Sequence, residues 1–103
     1  MYIAMNRFKI VLGREQEFID IWKKRDSHLA GVPGFKAFHL LHGPSDEEQG
    51  YTLMSSHVTW EDEAAFIAWT KSDAFKAAHA KAGGSRDIYL GSPQFEGFQV
   101  VMS

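Results

Sequence analysis

The chain carries five histidines, His28, His39, His42, His57 and His79, and no cysteine. The missing cysteine excludes disulfides, zinc–thiolate sites, iron–sulfur clusters and a thiol nucleophile. His39 and His42 are three residues apart in a stretch patterned as a strand. Their side chains therefore point to opposite faces and cannot clamp one ion. No His-Glu-x-x-His spacing places two imidazoles on one helix face, so a zinc site lacks ligands. The residue types of a serine hydrolase are present, but no nucleophile elbow is. No glycine-rich loop follows a strand to cradle phosphate.

His79 stands apart. It sits near the end of the run Ala74-Phe75-Lys76-Ala77-Ala78-His79-Ala80-Lys81-Ala82. Small neighbours let a flat ligand approach a helix closely, and a lone imidazole on such a surface commonly holds heme iron. The plainer alternative is a surface histidine at a helix C-terminus, favoured there by the dipole. Lys76 and Lys81 could meet acidic groups of a ligand or simply solvate the helix. Asn6 is the odd residue of the first strand, because asparagine competes with the backbone for hydrogen bonds. Alternation puts it on one face with Tyr2, Ala4 and Phe8. It either satisfies a buried partner or reaches a ligand. Trp69 follows Phe66 by three residues, so both can be core; Trp22 and Trp60 are read as core packing.

These groups need positioning. Tyr2–Val11 alternates and is rich in β-formers, so a strand is expected, broken by Gly13. Residues 15–25 place Phe18, Ile21, Trp22 and Arg25 at helical spacing. Gly31-Val32-Pro33-Gly34 is punctuation. Residues 35–41 predict a second strand, 43–50 an exposed hairpin loop and 51–58 a third strand. Thr59 is expected to cap a helix whose first turn holds Glu61, Asp62 and Glu63. Ser72-Asp73 offers a second cap and a restart over 74–82, ended by Gly83-Gly84. A polar loop over 85–93 leads to a last strand at 95–101. The order is strand, helix, strand, strand, helix, strand: an α+β, ferredoxin-like split βαβ fold with an antiparallel sheet.

At 103 residues the chain suits one domain, 1–103. A net charge of -2 leaves no electrostatic footprint for nucleic acid. No basic n-region with an apolar run opens the sequence, and no stretch is long enough to span a bilayer, so a cytoplasmic protein is expected. In the second strand Phe35, Ala37 and Leu41 alternate with Phe38 and Leu40, so both faces are apolar. Helices cover only one face of such a sheet, and the other demands a second subunit or a ligand.

The segment Phe66-Ile67-Ala68-Trp69-Thr70-Lys71-Ser72-Asp73-Ala74-Phe75-Lys76-Ala77-Ala78-His79 resembles the signature of IsdG-type heme monooxygenases, members of the antibiotic-biosynthesis monooxygenase superfamily. Asn6-Arg7-Phe8 resembles the Asn-Arg-hydrophobic run on their first strand. The resemblance implies a homodimer whose two sheets meet as a β-barrel, with one heme per subunit between helices and sheet. It implies His79 as the proximal iron ligand and Asn6 as the distal hydrogen-bonding residue. It also implies Trp69 as the ring that presses the macrocycle out of plane. Phe66, Phe75 and Lys76 join these as heme-binding residues. Heme would be both substrate and cofactor, opened with O2 and electrons from an external donor such as a reductase, with release of iron and a bilin. The loop from Gly83 to Pro93 matches no pattern, which leaves biliverdin and formaldehyde-releasing bilins both open as products. Three other readings stay beside this one: a cofactor-independent monooxygenase of the same superfamily acting on a polycyclic phenol or quinol, a non-catalytic heme carrier, and a dimeric barrel without ligand.

Overall fold

The computed structural model describes residues 1–24, 29–80 and 86–103, the side chains of 77–80 and 86 excepted. Tyr2–Val11 forms β1, as its alternation implies. Glu15–Lys24 forms α1, with Glu15 and Glu17 in its first turn and Lys23 and Lys24 in its last, both favourable to the helix dipole. Arg25, expected in this helix, lies outside the described residues. β2 spans Phe35–Asp46 and β3 spans Tyr51–Trp60. Two short helices follow, α2 over Glu63–Thr70 and α3 over Asp73–Ala80. A 3-10 turn at Arg86–Ile88 precedes β4, Gln94–Gln99.

The four strands form one antiparallel sheet in the order β2-β3-β1-β4. This is the expected α+β ferredoxin-like arrangement, with β1 and β3 in the centre. Period-two alternation then sorts the residues. Tyr2, Ala4, Asn6, Phe8 and Ile10 of β1 lie opposite Trp60, Val58, Ser56, Met54 and Thr52 of β3. All of these face the helices. Two core clusters form there. In one, Ile10, Phe18, Met54 and Ile88 are buried under α1. In the other, Tyr2, Ala4, Leu29, Trp60 and Trp69 pack with Phe66, Ala74 and Phe75 of α2 and α3. Phe18 and Ile10 are wholly buried, and each such side chain contributes roughly 1.5–3 kcal/mol. Gly34 joins the sheet to α2: its φ is +83°, and a Cβ there would stand 2.4 Å from the Ala65 Cβ. Only glycine fits both conditions.

Several local expectations are corrected. β2 runs through Gly43, Pro44 and Ser45, where an exposed loop was expected, and the turn is confined to 47–50. The sheet tolerates Pro44 because β2 is an edge strand and the register shifts between His42 and Ser45. Thr59 and Trp60 belong to β3, so Thr59 does not cap the next helix. Asp62 does, its carboxylate accepting from the Ala65 N–H at 2.8 Å. The strand wins because Trp60 is buried between Phe35 and the helices. The expected restart at Ser72-Asp73 is present: Ser72 Oγ accepts from the Phe75 N–H at 3.1 Å. The Gly83-Gly84 terminator lies outside the described residues. The segment leading to β4 is not merely a polar loop, since Ile88 is fully buried and Tyr89 bridges to Ile10.

The other face of the sheet bears Ile3, Met5, Val11, Leu53, Leu41 and Phe98. Leu41 and Phe98 are 39% and 47% exposed. No element among the described residues packs over this face.

Candidate functional site

A cavity of about 260 Å³ lies between the sheet and α2–α3. Its floor comes from the two central strands: Ala4 and Asn6 of β1, Ser56, Val58 and Trp60 of β3. The roof is Phe66, Trp69, Thr70 and Phe75. Trp22 of α1 and Phe38 of β2 stack at 5.6 Å to close one end. At the other end Phe95 of β4 stacks on Phe66 at 5.4 Å and 6° while remaining half exposed, so it forms a rim.

The helix break holds the roof in place. Ser72 Oγ donates to the Trp69 carbonyl at 2.6 Å and caps α3 through Phe75. One hydroxyl thus ties the end of α2 to the start of α3. Trp69 is 7% exposed. Its indole is held edge-on by Phe75, ring centroids 5.6 Å apart at 86°, and backed by Trp60 at 6.2 Å. A large ring wedged on two sides has little rotamer freedom.

The polar groups of the cavity are few. Asn6 stands directly opposite Ser56 in the β1–β3 ladder. The Thr70 hydroxyl is spent on the Ile67 carbonyl at 2.7 Å. The Trp60 indole N–H is buried without an acceptor among the described residues. None of the described residues lining the cavity is ionisable. General acid–base catalysis requires a proton-transfer group within hydrogen-bond reach, and this wall offers only an amide, hydroxyls and indole N–H groups. Such a wall binds, shapes and dries a ligand; the reactivity must come from the ligand or from outside the described side chains. The aromatic roof and mostly apolar floor suit an apolar, aromatic molecule.

The structure brings Asn6, Phe66, Trp69 and Phe75 to this one cavity. Lys76 is exposed and does not border it. His79 falls in the last turn of α3, and its side chain lies outside the described residues, as does Lys81. Trp22 and Trp60, taken from the sequence as plain core, both border the cavity. Ser56, Phe38 and Phe95 were not singled out. Ser56 carries the one usable signal, a small polar residue in a β-branched and aromatic strand. Among the described residues no group of three or more metal-ligating side chains occurs. His39 and His42 do lie on opposite faces: His39 pairs with His57 on the helix-free face, rings 6.1 Å apart, while His42 pairs with Met54 on the other. No helix among the described residues is long and apolar enough to cross a membrane.

Residues 1–81 match the antibiotic biosynthesis monooxygenase family. A heme-degrading monooxygenase of Bacillus thuringiensis (strain Al Hakam) is 33% identical over 90 residues, which is 87% of this chain and 81% of that protein. A heme-degrading monooxygenase of Bacillus cereus (strain AH187) matches to the same extent. Among solved structures, the heme-degrader MhuD of Mycobacterium tuberculosis, with two hemes bound in its active site, superposes with a TM-score of 0.75 at 26% identity. It covers all of this chain and 98% of its own. A mutant of SnoaB, a cofactor-independent oxygenase of Streptomyces nogalater, gives a TM-score of 0.65 at 20% identity over 99% and 95% of the two chains, a likeness of fold alone.

Proposed function

The chain belongs to the antibiotic biosynthesis monooxygenase family, and from that membership we propose that it is a heme-degrading monooxygenase, acting as a single domain over residues 1–103. The observation that carries the reading is the cavity under Trp69. It pairs a wedged aromatic roof with an amide that has no partner among the described residues, and its described lining holds no ionisable group. A substrate that activates dioxygen itself needs no acid or base from such a wall. The relatives named for heme degradation support the choice of substrate.

Heme, when bound, supplies the iron at which dioxygen and external electrons act, and its ring is opened to a bilin with loss of iron. The chain's own residues do the rest. His79, in the last turn of α3, would hold the iron. Asn6 presents its amide from the sheet side and steadies polar atoms there by hydrogen bonding. Trp69, backed by Trp60 and Phe75, would bear against the bound ring. Phe66 and Phe75 flank the ring. About 260 Å³ lies below the usual ligand-pocket range of roughly 300–1,000 Å³. The cavity would hold only part of the macrocycle, with the rest toward the half-exposed Phe95 rim. Lys76, exposed on α3, would be the residue to meet the propionates.

The functional unit of this proposal is a homodimer. The helix-free face would be covered by the same face of a second copy, a twofold-symmetric contact. That face gathers Ile3, Met5, Leu41, Leu53 and Phe98, with Leu41 and Phe98 exposed, and a contiguous apolar patch of this kind marks an interaction surface. The electron donor is a reductase or small reductant, and the setting is cytoplasmic.

Hemin titration followed by reductant under air tests the activity. The expected result is a Soret band saturating at about one hemin per chain that disappears with turnover, and a changed Soret position in His79→Ala. A Soret band that forms but survives reductant and air would make the protein a heme carrier. No band at all, with oxidation of a polycyclic quinol, would make it a cofactor-independent oxygenase.

A further inference from the structure

We propose that Ser56 is a second hydrogen-bonding residue of this cavity, acting together with Asn6 on a small polar ligand held between the macrocycle and the sheet. This rests on the heme reading above and assigns a further residue to that site.

The rungs of the β1–β3 ladder on the cavity face are Ala4–Val58, Asn6–Ser56 and Phe8–Met54. One polar rung therefore stands between two apolar ones, and Leu40 and Phe95 continue it into β2 and β4. Ser56 is 3% exposed, and both Ser56 and Asn6 border the cavity. Among the described residues neither side chain has a hydrogen-bond partner. The contrast with the next residue is informative: Ser55, on the opposite face, turns its hydroxyl to the Ser56 carbonyl at 2.9 Å. An alanine or valine would suit an apolar strand face at this position, whereas the serine presents a hydroxyl to the cavity. The hydroxyl therefore faces the cavity, free to bond whatever occupies it.

Cβ atoms on one rung stand about 4.5–5.5 Å apart, close enough for side chains to bond across it. The Ser56 oxygen can accept from the Asn6 amide N–H while its own O–H donates to the ligand. Asn6 alone offers a rotatable amide; the pair offers a donor with a set direction. A diatomic molecule or small anion in that space is then oriented, and with it the position of the macrocycle edge that reacts.

The test uses the full chain as its hemin complex, with azide as the probe. Ser56→Ala, Asn6→Ala and the double variant are titrated with hemin and then with azide. The Ser56→Ala complex should bind hemin like the wild type, bind azide about 2–10-fold more weakly, and melt no lower than the wild type. The double variant should lose less than the product of the single losses, because the two groups act as one unit. Mass spectrometry of the bilins should show a changed isomer ratio in Ser56→Ala, restored at least in part by Ser56→Thr. Unchanged azide affinity and unchanged products in Ser56→Ala, or strictly multiplicative losses, overturn the proposal while leaving heme degradation intact. Failure of the wild-type chain to bind hemin overturns both.

Discussion

Gly97→Ala probes the joint between the edge strand β4 and the cavity wall. An added Cβ would stand 1.8 Å from the Tyr2 hydroxyl oxygen and 2.7 Å from its Cζ. Ordinary contact begins near 3.4 Å, so the ring must retreat by more than an ångström. Tyr2 has no free space to take: it is 6% exposed and packs on Phe66 at 5.5 Å, with Phe66 stacked on Phe95 beyond it. Overpacking of this kind costs about 1–3 kcal/mol. In a domain of this size each kcal/mol lowers the melting temperature by roughly 4–8 °C. Tyr2→Phe removes the atom at 1.8 Å but leaves Cζ at 2.7 Å. It should therefore relieve part of the clash, giving a coupling of at least about 0.5 kcal/mol between the two sites. Urea and thermal unfolding of the wild type, both single variants and the double variant measure this cycle. Hemin titration of the same set should show affinity falling with Gly97→Ala, because the displaced ring pushes on the cavity wall. A Gly97→Ala protein as stable as the wild type, or a loss that is identical in the Tyr2→Phe background, would refute the reasoning.

Further outcomes are expected. Thr52 is fully buried and its hydroxyl meets both Ser45 Oγ and Glu15 Oε2 at 2.7 Å; Thr52→Val should cost about 1.5–3 kcal/mol at pH 7 by removing a charge-assisted bond. That hydrogen bond is the main cause holding the Glu15 carboxyl below its ordinary 4.5. The contribution is thus complete above that pH and lost as pH falls through the lower folded value, and the gap between Thr52→Val and wild type in urea unfolding should close with acid. Asn6→Ala and Trp69→Phe should keep the Soret band yet slow its loss under matched reductant; wild-type rates in both would remove their proposed roles. Leu41→Asp with Phe98→Asp should convert a dimer into a monomer in analytical ultracentrifugation at micromolar concentration, and a wild-type monomer there would end the dimer proposal.

Alternation along Tyr2–Val11, the cap at Ser72 and the order of elements were legible in the sequence, because each depends on residues within a few positions of one another. The face of Asn6 and the opposed faces of His39 and His42 followed from the same period of two. The reach of β2 through Pro44 was not legible, since an edge position and a bulge that make proline tolerable exist only once the sheet is assembled. The strand character of Thr59 and Trp60 was hidden for a like reason: Phe35 and the helices bury Trp60, and burial outweighed the local cap signal. Local pattern also pointed to Trp22 and Trp60 as core, which they are, but could not show that they border a cavity. That depends on how α1, α2 and α3 pack across one face of the sheet. The Asn6–Ser56 rung is the clearest case. Fifty residues separate the two in sequence, and only the antiparallel register of β1 and β3 sets an amide and a hydroxyl side by side on an otherwise apolar floor.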